Sequence, residues 1–173
     1  MLETNIIENT DTIELKLFGE VEIKNGDTKI KGKNHWVGQG FGTLAVFIGS
    51  TSGASVYATT NNWYILLGMN TVTPTNVTMT TLVKPISAQP NAKYVYGFYY
   101  SGSTNAVLVR YEAQWYTGTV SGTIGELGLY LTFSGGGVGM ASRLSAADNS
   151  FTAFTVDTSS VLDVLWNINL VYA

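Results

Sequence analysis

The sequence predicts an all-β protein, an antiparallel β-sandwich with a jelly-roll-like winding. Three observations carry that expectation. Segments 106–116 and 164–172 alternate apolar and polar residues with the period of two that a half-buried strand requires. An Asn25-Gly26 pair lies between two further alternating runs, where a tight hairpin turn favours such residues. No segment sustains a helical period, and the chain is rich in Gly, Thr, Val and Tyr but holds only 3 Pro. A length of 173 residues fits one domain. The expected organisation is a flexible arm at 1–12 and one sandwich domain at 13–173, opened by a charged hairpin at 13–33.

Within the hairpin, a two-residue type I′ turn at Asn25-Gly26 sets a register. Ile23 then faces Thr28, Glu22 faces Lys29, Val21 faces Ile30 and Glu20 faces Lys31. One face is mostly apolar and the other carries two opposite-charge pairs, each worth about 0.2–1 kcal/mol. Further strands are expected at 41–48, 63–69, 77–83, 94–100, 106–116, 126–133, 140–144 and 164–172. Gly, Ser, Thr and Asn fill the segments between them, and Ser145 opens a single turn of helix. In 106–116, Val107, Val109, Tyr111, Ala113 and Trp115 form a core face, with Leu108, Arg110, Glu112 and Gln114 opposite. In the last strand, Val164, Trp166, Ile168, Leu170 and Tyr172 share one face, and Asn167 and Asn169 mark the other as solvent or a subunit contact.

Composition excludes several kinds of chemistry. The absence of cysteine removes disulfides, thiolate metal sites and cysteine nucleophiles. The single histidine, His35, lies in a charged loop and leaves no set of imidazoles for a metal centre, so neither a metal nor a cofactor is expected. A net charge of −3 argues against a nucleic-acid partner. No apolar run nears the roughly 20 residues of a membrane-spanning helix, so membrane insertion is not expected. Of 21 charged residues, 12 fall in residues 1–33, which leaves the rest of the chain polar without being ionic.

Residue type offers two kinds of site. Glycoside hydrolysis needs two flanking carboxyl groups, and Glu112, Glu126 and Asp163 are the acids placed in or at later strands. Ion pairing accounts for the two glutamates more simply: Glu112 is two residues from Arg110, and Glu126 is within reach of Arg143. No catalytic residue is assigned. Stacking against sugar rings needs exposed aromatics, and Trp63, Tyr64, Tyr96, Tyr99 and Trp115 are the candidate platform. The glycine-rich run at 134–139 lacks the lysine of a phosphate loop and reads as a turn. Asp148-Asn149-Ser150 reads as an Asx turn.

The run Ser121-Gly122-Thr123-Ile124-Gly125-Glu126-Leu127-Gly128-Leu129-Tyr130-Leu131 is followed by Met140-Ala141-Ser142-Arg143-Leu144 and by 161–172 with its central Trp166. This order resembles the C-terminal region of small structural proteins of tailed bacteriophages. Those show a Glu-(Ile/Leu)-Gly-Leu strand, an Ala-x-Arg strand and a final strand with aliphatic/Trp alternation. Glu112-Ala113-Gln114-Trp115 is similar to the strand that precedes them, so the resemblance spans roughly residues 106–173. It implies a virion protein without catalysis: a tail, fibre or capsid-decoration component. Its partners would be copies of itself, with a trimer as the guess for that class, and other virion proteins. The resemblance also suggests Glu126 and Arg143 as a structural ion pair on neighbouring strands. The alternative reading is a carbohydrate- or host-receptor-binding module that uses the aromatic platform on a host surface glycan.

Overall fold

A computed structural model of the chain describes residues 15–40, 63–88, 97–101, 106–132 and 138–172. The strands among them are β1 (Leu15–Asn25), β2 (Thr28–Lys33), β3 (His35–Trp36), β4 (Trp63–Gly68), β5 (Gly97–Ser101), β6 (Ala106–Trp115), β7 (Gly122–Ile124), β8 (Glu126–Thr132), β9 (Val138–Ser145), β10 (Phe154–Val156) and β11 (Leu162–Tyr172). They form a five-stranded sheet in the order β2-β1-β11-β6-β5, a four-stranded sheet in the order β3-β9-β8-β4, and a two-stranded ribbon of β10 and β7. The strand pairings are antiparallel. Val21, Ile23, Ala113, Trp115, Val164 and Trp166 of the first sheet share one buried core with Ile65, Leu67, Leu127, Leu129 and Leu144 of the second. The chain is therefore an all-β antiparallel sandwich.

The alternation read in β11 is the alternation of burial, and in β6 burial alternates from Glu112 to Trp115. Ala113 and Trp115 of β6 are buried, and so are Val164, Trp166 and Ile168 of β11. Asn167 and Asn169 are half-buried on the opposite face, where Arg110 Nε donates to Asn167 Oδ1 at 2.8 Å. β5 pairs with β6 as a hairpin closed at Ser101 and Ala106. Ser145 caps a short 3-10 turn at Ala146–Asp148, its hydroxyl accepting from the Ala147 amide.

Three expectations need correction. The first is the hairpin register, in which Asn25 faces Thr28, Lys24 faces Lys29, Ile23 faces Ile30 and Glu22 faces Lys31. The turn residues are Gly26 and Asp27, with positive φ at Gly26 only (56°), the φ pattern of a II′ turn. Each residue's partner moves by two, so both faces keep their character; only a slip by one would exchange them. The second is 77–83, which forms no strand. The third is that β3, β7 and β10, of two or three residues each, lie where no strand was expected. The expected strand at 41–48, residues 94–96 and most of the glycine-rich run at 134–139 lie outside the described residues.

Candidate functional site

The four-stranded sheet has two buried faces. Leu127 and Leu129 of β8 enter the sandwich core, and Tyr130 belongs to a second cluster with Val37, Leu82 and Met140. Glu126 and Gly128 share the face of Tyr130 by the period of two. A bulge in β9 brings Met140 to that face as well: Leu129 pairs with Ser142 but Tyr130 pairs with Met140, so Ala141 is the extra residue and reverses the phase of the strand.

What covers this face is the segment between β4 and residue 88. Met69 N donates to Lys84 O at 2.9 Å, and Gly68 bridges Pro85, so the segment leaves and returns at one point. Residues 69–84 thus form an Ω-like strap of the length such loops have. Its grip on the sheet is largely polar. Glu126 Oε1 accepts from the Lys84 amide at 2.7 Å, and Oε2 accepts from the Val83 amide at 3.2 Å. Arg143 Nε and Nη2 donate to Glu126 Oε2 at 3.1 and 2.7 Å, and both side chains are 0% exposed. The remaining guanidinium hydrogens go to the strap: Nη1 and Nη2 each reach Thr73 O at 3.1 Å, and Nη1 reaches Thr75 Oγ1 at 3.3 Å. All five N–H donors of the planar fork are therefore met.

Two further contacts complete the attachment. Tyr130 OH accepts from the Leu82 amide at 2.7 Å and lies 3.1 Å from Thr81 Oγ1. Burial, the larger influence, raises the Tyr130 phenol above its ordinary value of 10.0, against the opposing effect of these hydrogen bonds. Asp148, the last residue of the 3-10 turn, accepts from the Thr75 amide at 2.8 Å and from the Thr75 hydroxyl. Close packing explains the small residues beneath the strap. A Cβ on Gly68 would lie 2.5 Å from Glu126 Oε1, and one on Gly128 would lie 2.7 Å from the Tyr130 ring.

The structure brings Glu126 and Arg143 together, on adjacent strands. It separates Glu112 from Glu126, since Glu112 lies on the outer face of the five-stranded sheet and Glu126 on the far face of the other sheet. Asp163 accepts from Gln114 Nε2 at 2.6 Å. His35 Nε2 lies 3.1 Å from Ser150 Oγ and 4.0 Å from Asp148 Oδ2. Hydroxyl and carboxylate meet the same ring nitrogen, whereas a nucleophile relay needs them on opposite nitrogens. Asp148 does not serve the local Asx turn expected of it, because its carboxylate is spent on Thr75.

Of the aromatic platform, Trp115 is 1% exposed and part of the core, with Nε1 donating to Ala88 O at 3.3 Å. Its ring is therefore no stacking face for a ligand, contrary to the expectation from sequence. Trp63 is half-buried and stacks on Tyr111 at 5.1 Å, and Tyr64 stacks on Tyr130 at 5.4 Å. Tyr96 lies outside the described residues, and of Tyr99 only the backbone, in β5, is described.

The strap residues Thr73, Thr75, Val83 and Lys84 were not singled out from sequence. They act chiefly through backbone groups, which every residue carries, so residue type gives no signal. No known protein family, curated protein or solved structure matches the chain.

Proposed function

We propose that the protein is a structural component of a virion (a tail, fibre or capsid-decoration protein) that acts by self-assembly and by docking on other virion proteins. The observation that carries this reading is the pairing of Glu126 with Arg143. The short motifs that resemble phage structural proteins supply both partners of one buried ion pair, and that pair fastens a strap to the sandwich. Such a device gives a surface of defined shape. The outer face of the five-stranded sheet, with half-buried Leu108, Leu165, Asn167 and Asn169, is suited to repeated contact between copies. A trimer and a jelly-roll-like winding belong to the same proposal. The second reading, a glycan platform built on aromatics, is weakened by the burial of Trp115 and the internal stacking of Trp63 and Tyr64. Native mass measurement followed by electron microscopy of particles carrying labelled protein tests the proposal. A homo-oligomer and label at regular particle positions are expected. A monomer that no particle incorporates would end it.

A further inference from the structure

The edge strand β2 presents Lys29, Lys31 and Lys33, all exposed and at alternate positions. Alternate residues are about 6.6–6.8 Å apart along a strand, so the three lysines leave the backbone over roughly 13 Å. Beside them runs a groove of about 510 Å³ whose other wall is residues 149–152. Lys33 N donates to Ser150 O at 3.3 Å at one end of this arrangement, and Lys29 and Lys31 line the groove beyond it.

The charge pattern is unusual for a guarded edge. Lys24 sits directly opposite Lys29, a like-charge pairing that disfavours the hairpin. Glu20 faces Lys33 and Glu22 faces Lys31, but Glu22 forms its ion pair along its own strand with Lys24 at 3.9 Å. Among the described residues no carboxylate forms an ion pair with Lys29, Lys31 or Lys33. Lysines on an edge do deter strand addition. That role needs neither a groove nor two lysines face to face.

We propose that this groove binds a strand of acidic polysaccharide. Lys29 and Lys31 in the groove, with Lys33 at its end, supply cations at a linear repeat, which suits a polymer carrying regularly spaced carboxylates better than a single small anion. Asn149, Ser150 and Thr152 line the facing wall with amide and hydroxyl groups that match sugar hydroxyls. The aromatic ring in the lining, Phe151, is 7% exposed, so recognition rests on the lysines and the polar wall rather than on ring stacking, and the net charge of −3 argues against a nucleic acid as the polymer. This binding does not depend on the protein being part of a particle, so the two proposals fail separately.

The test is titration calorimetry of the whole chain with alginate, a polyuronate, at low and high salt. Dextran serves as the neutral polymer and oligo(dT) as the nucleic acid. Binding to alginate that weakens with salt is expected, with none to dextran. The double variant Lys29→Gln/Lys31→Gln should bind about tenfold more weakly, and Lys29→Arg/Lys31→Arg should retain affinity. Thr152→Glu, which places a carboxylate on the facing wall, should also weaken binding, while thermal melting shows that each variant folds. The proposal is overturned by no alginate binding, by unchanged affinity in the Gln variant, by equal or tighter binding of oligo(dT), or by a fall in solution mass on Lys29→Gln/Lys31→Gln, which would assign the edge to a second copy.

Discussion

Replacing Arg143 with Met tests the strap attachment at its centre. The substitution keeps a long apolar side chain and removes the guanidinium. Glu126 is then left as a carboxylate in a site with no solvent exposure, with only the Val83 and Lys84 amides as partners. The Thr73 carbonyl loses both guanidinium donors at the same time. Breaking a fully buried pair from one side costs about 3–5 kcal/mol. For a chain of this size each kcal/mol moves the melting midpoint by about 2–4 °C, so a fall of roughly 6–20 °C is expected by scanning calorimetry. Hydrogen exchange should locate the damage. The Val83 and Lys84 amides should exchange faster, while the amides of β11, at the centre of the other sheet, change least. The double variant Glu126→Met/Arg143→Met should recover much of the loss, because it removes the uncompensated charge along with its partner. An unchanged midpoint in Arg143→Met, or a double variant no better than the single one, would refute the claim that the pair is buried and fastens the strap.

Gly68→Ala should act on the same site from the opposite side, because its methyl group would lie 2.5 Å from Glu126 Oε1 and 2.6 Å from its Cγ. A loss of about 1–3 kcal/mol in urea unfolding is expected, and none would show that the carboxylate is not held there. Trp115→Ala should cost about 3–5 kcal/mol, since Trp115 is buried in the sandwich core; a loss within experimental error would place it at the surface. Tyr130 carries a pH dependence. Its folded phenol ionises above the ordinary value of 10.0, so the unfolded chain gives up that proton first as pH rises. The resulting stability is fully present below pH 10.0 and is lost as pH climbs through the higher folded value. Tyr130→Phe should flatten that part of the alkaline stability profile relative to the parent protein, and identical profiles would count against a buried phenol.

How far the sequence could be read follows from what each residue type can signal. Long alternating runs such as 106–115 and 162–172 identified themselves because each has enough residues to separate a period of two from chance. β3, β7 and β10 are too short to show any period. The hairpin faces were legible but its register was not, since partners displaced by two keep every side chain on the same face. Segment 77–83 shows strand-like apolar spacing, yet the Val83 amide and the next one, of Lys84, go to a carboxylate rather than to a neighbouring strand. That carboxylate lies some forty residues further along the chain, and local pattern carries no information about it. Glu126 and Arg143 could be singled out as charges in a stretch otherwise poor in them, whereas the Thr73 carbonyl that takes two of Arg143's hydrogen bonds could not.

A strap this poor in buried apolar surface explains why charge is placed under it. Leu82 is buried and Met79 half-buried, but Val72, Val77 and Val83 are 80%, 56% and 48% exposed. Hydrophobic contact is non-directional, so a few apolar side chains would hold such a segment loosely and in several positions. The ion pair acts differently. Its partners are the amides of two consecutive residues, one carbonyl and one hydroxyl, and moving the strap by a single residue would leave several of them unpaired where water does not reach. Net stabilisation by a buried pair is small or even negative against a well-packed apolar substitute. What the pair contributes is a steep penalty for every other placement. An apolar replacement of both residues should therefore preserve the melting midpoint better than it preserves the position of the strap, and hydrogen exchange at Leu82, whose amide donates to Tyr130 OH and not to the replaced carboxylate, reads that position.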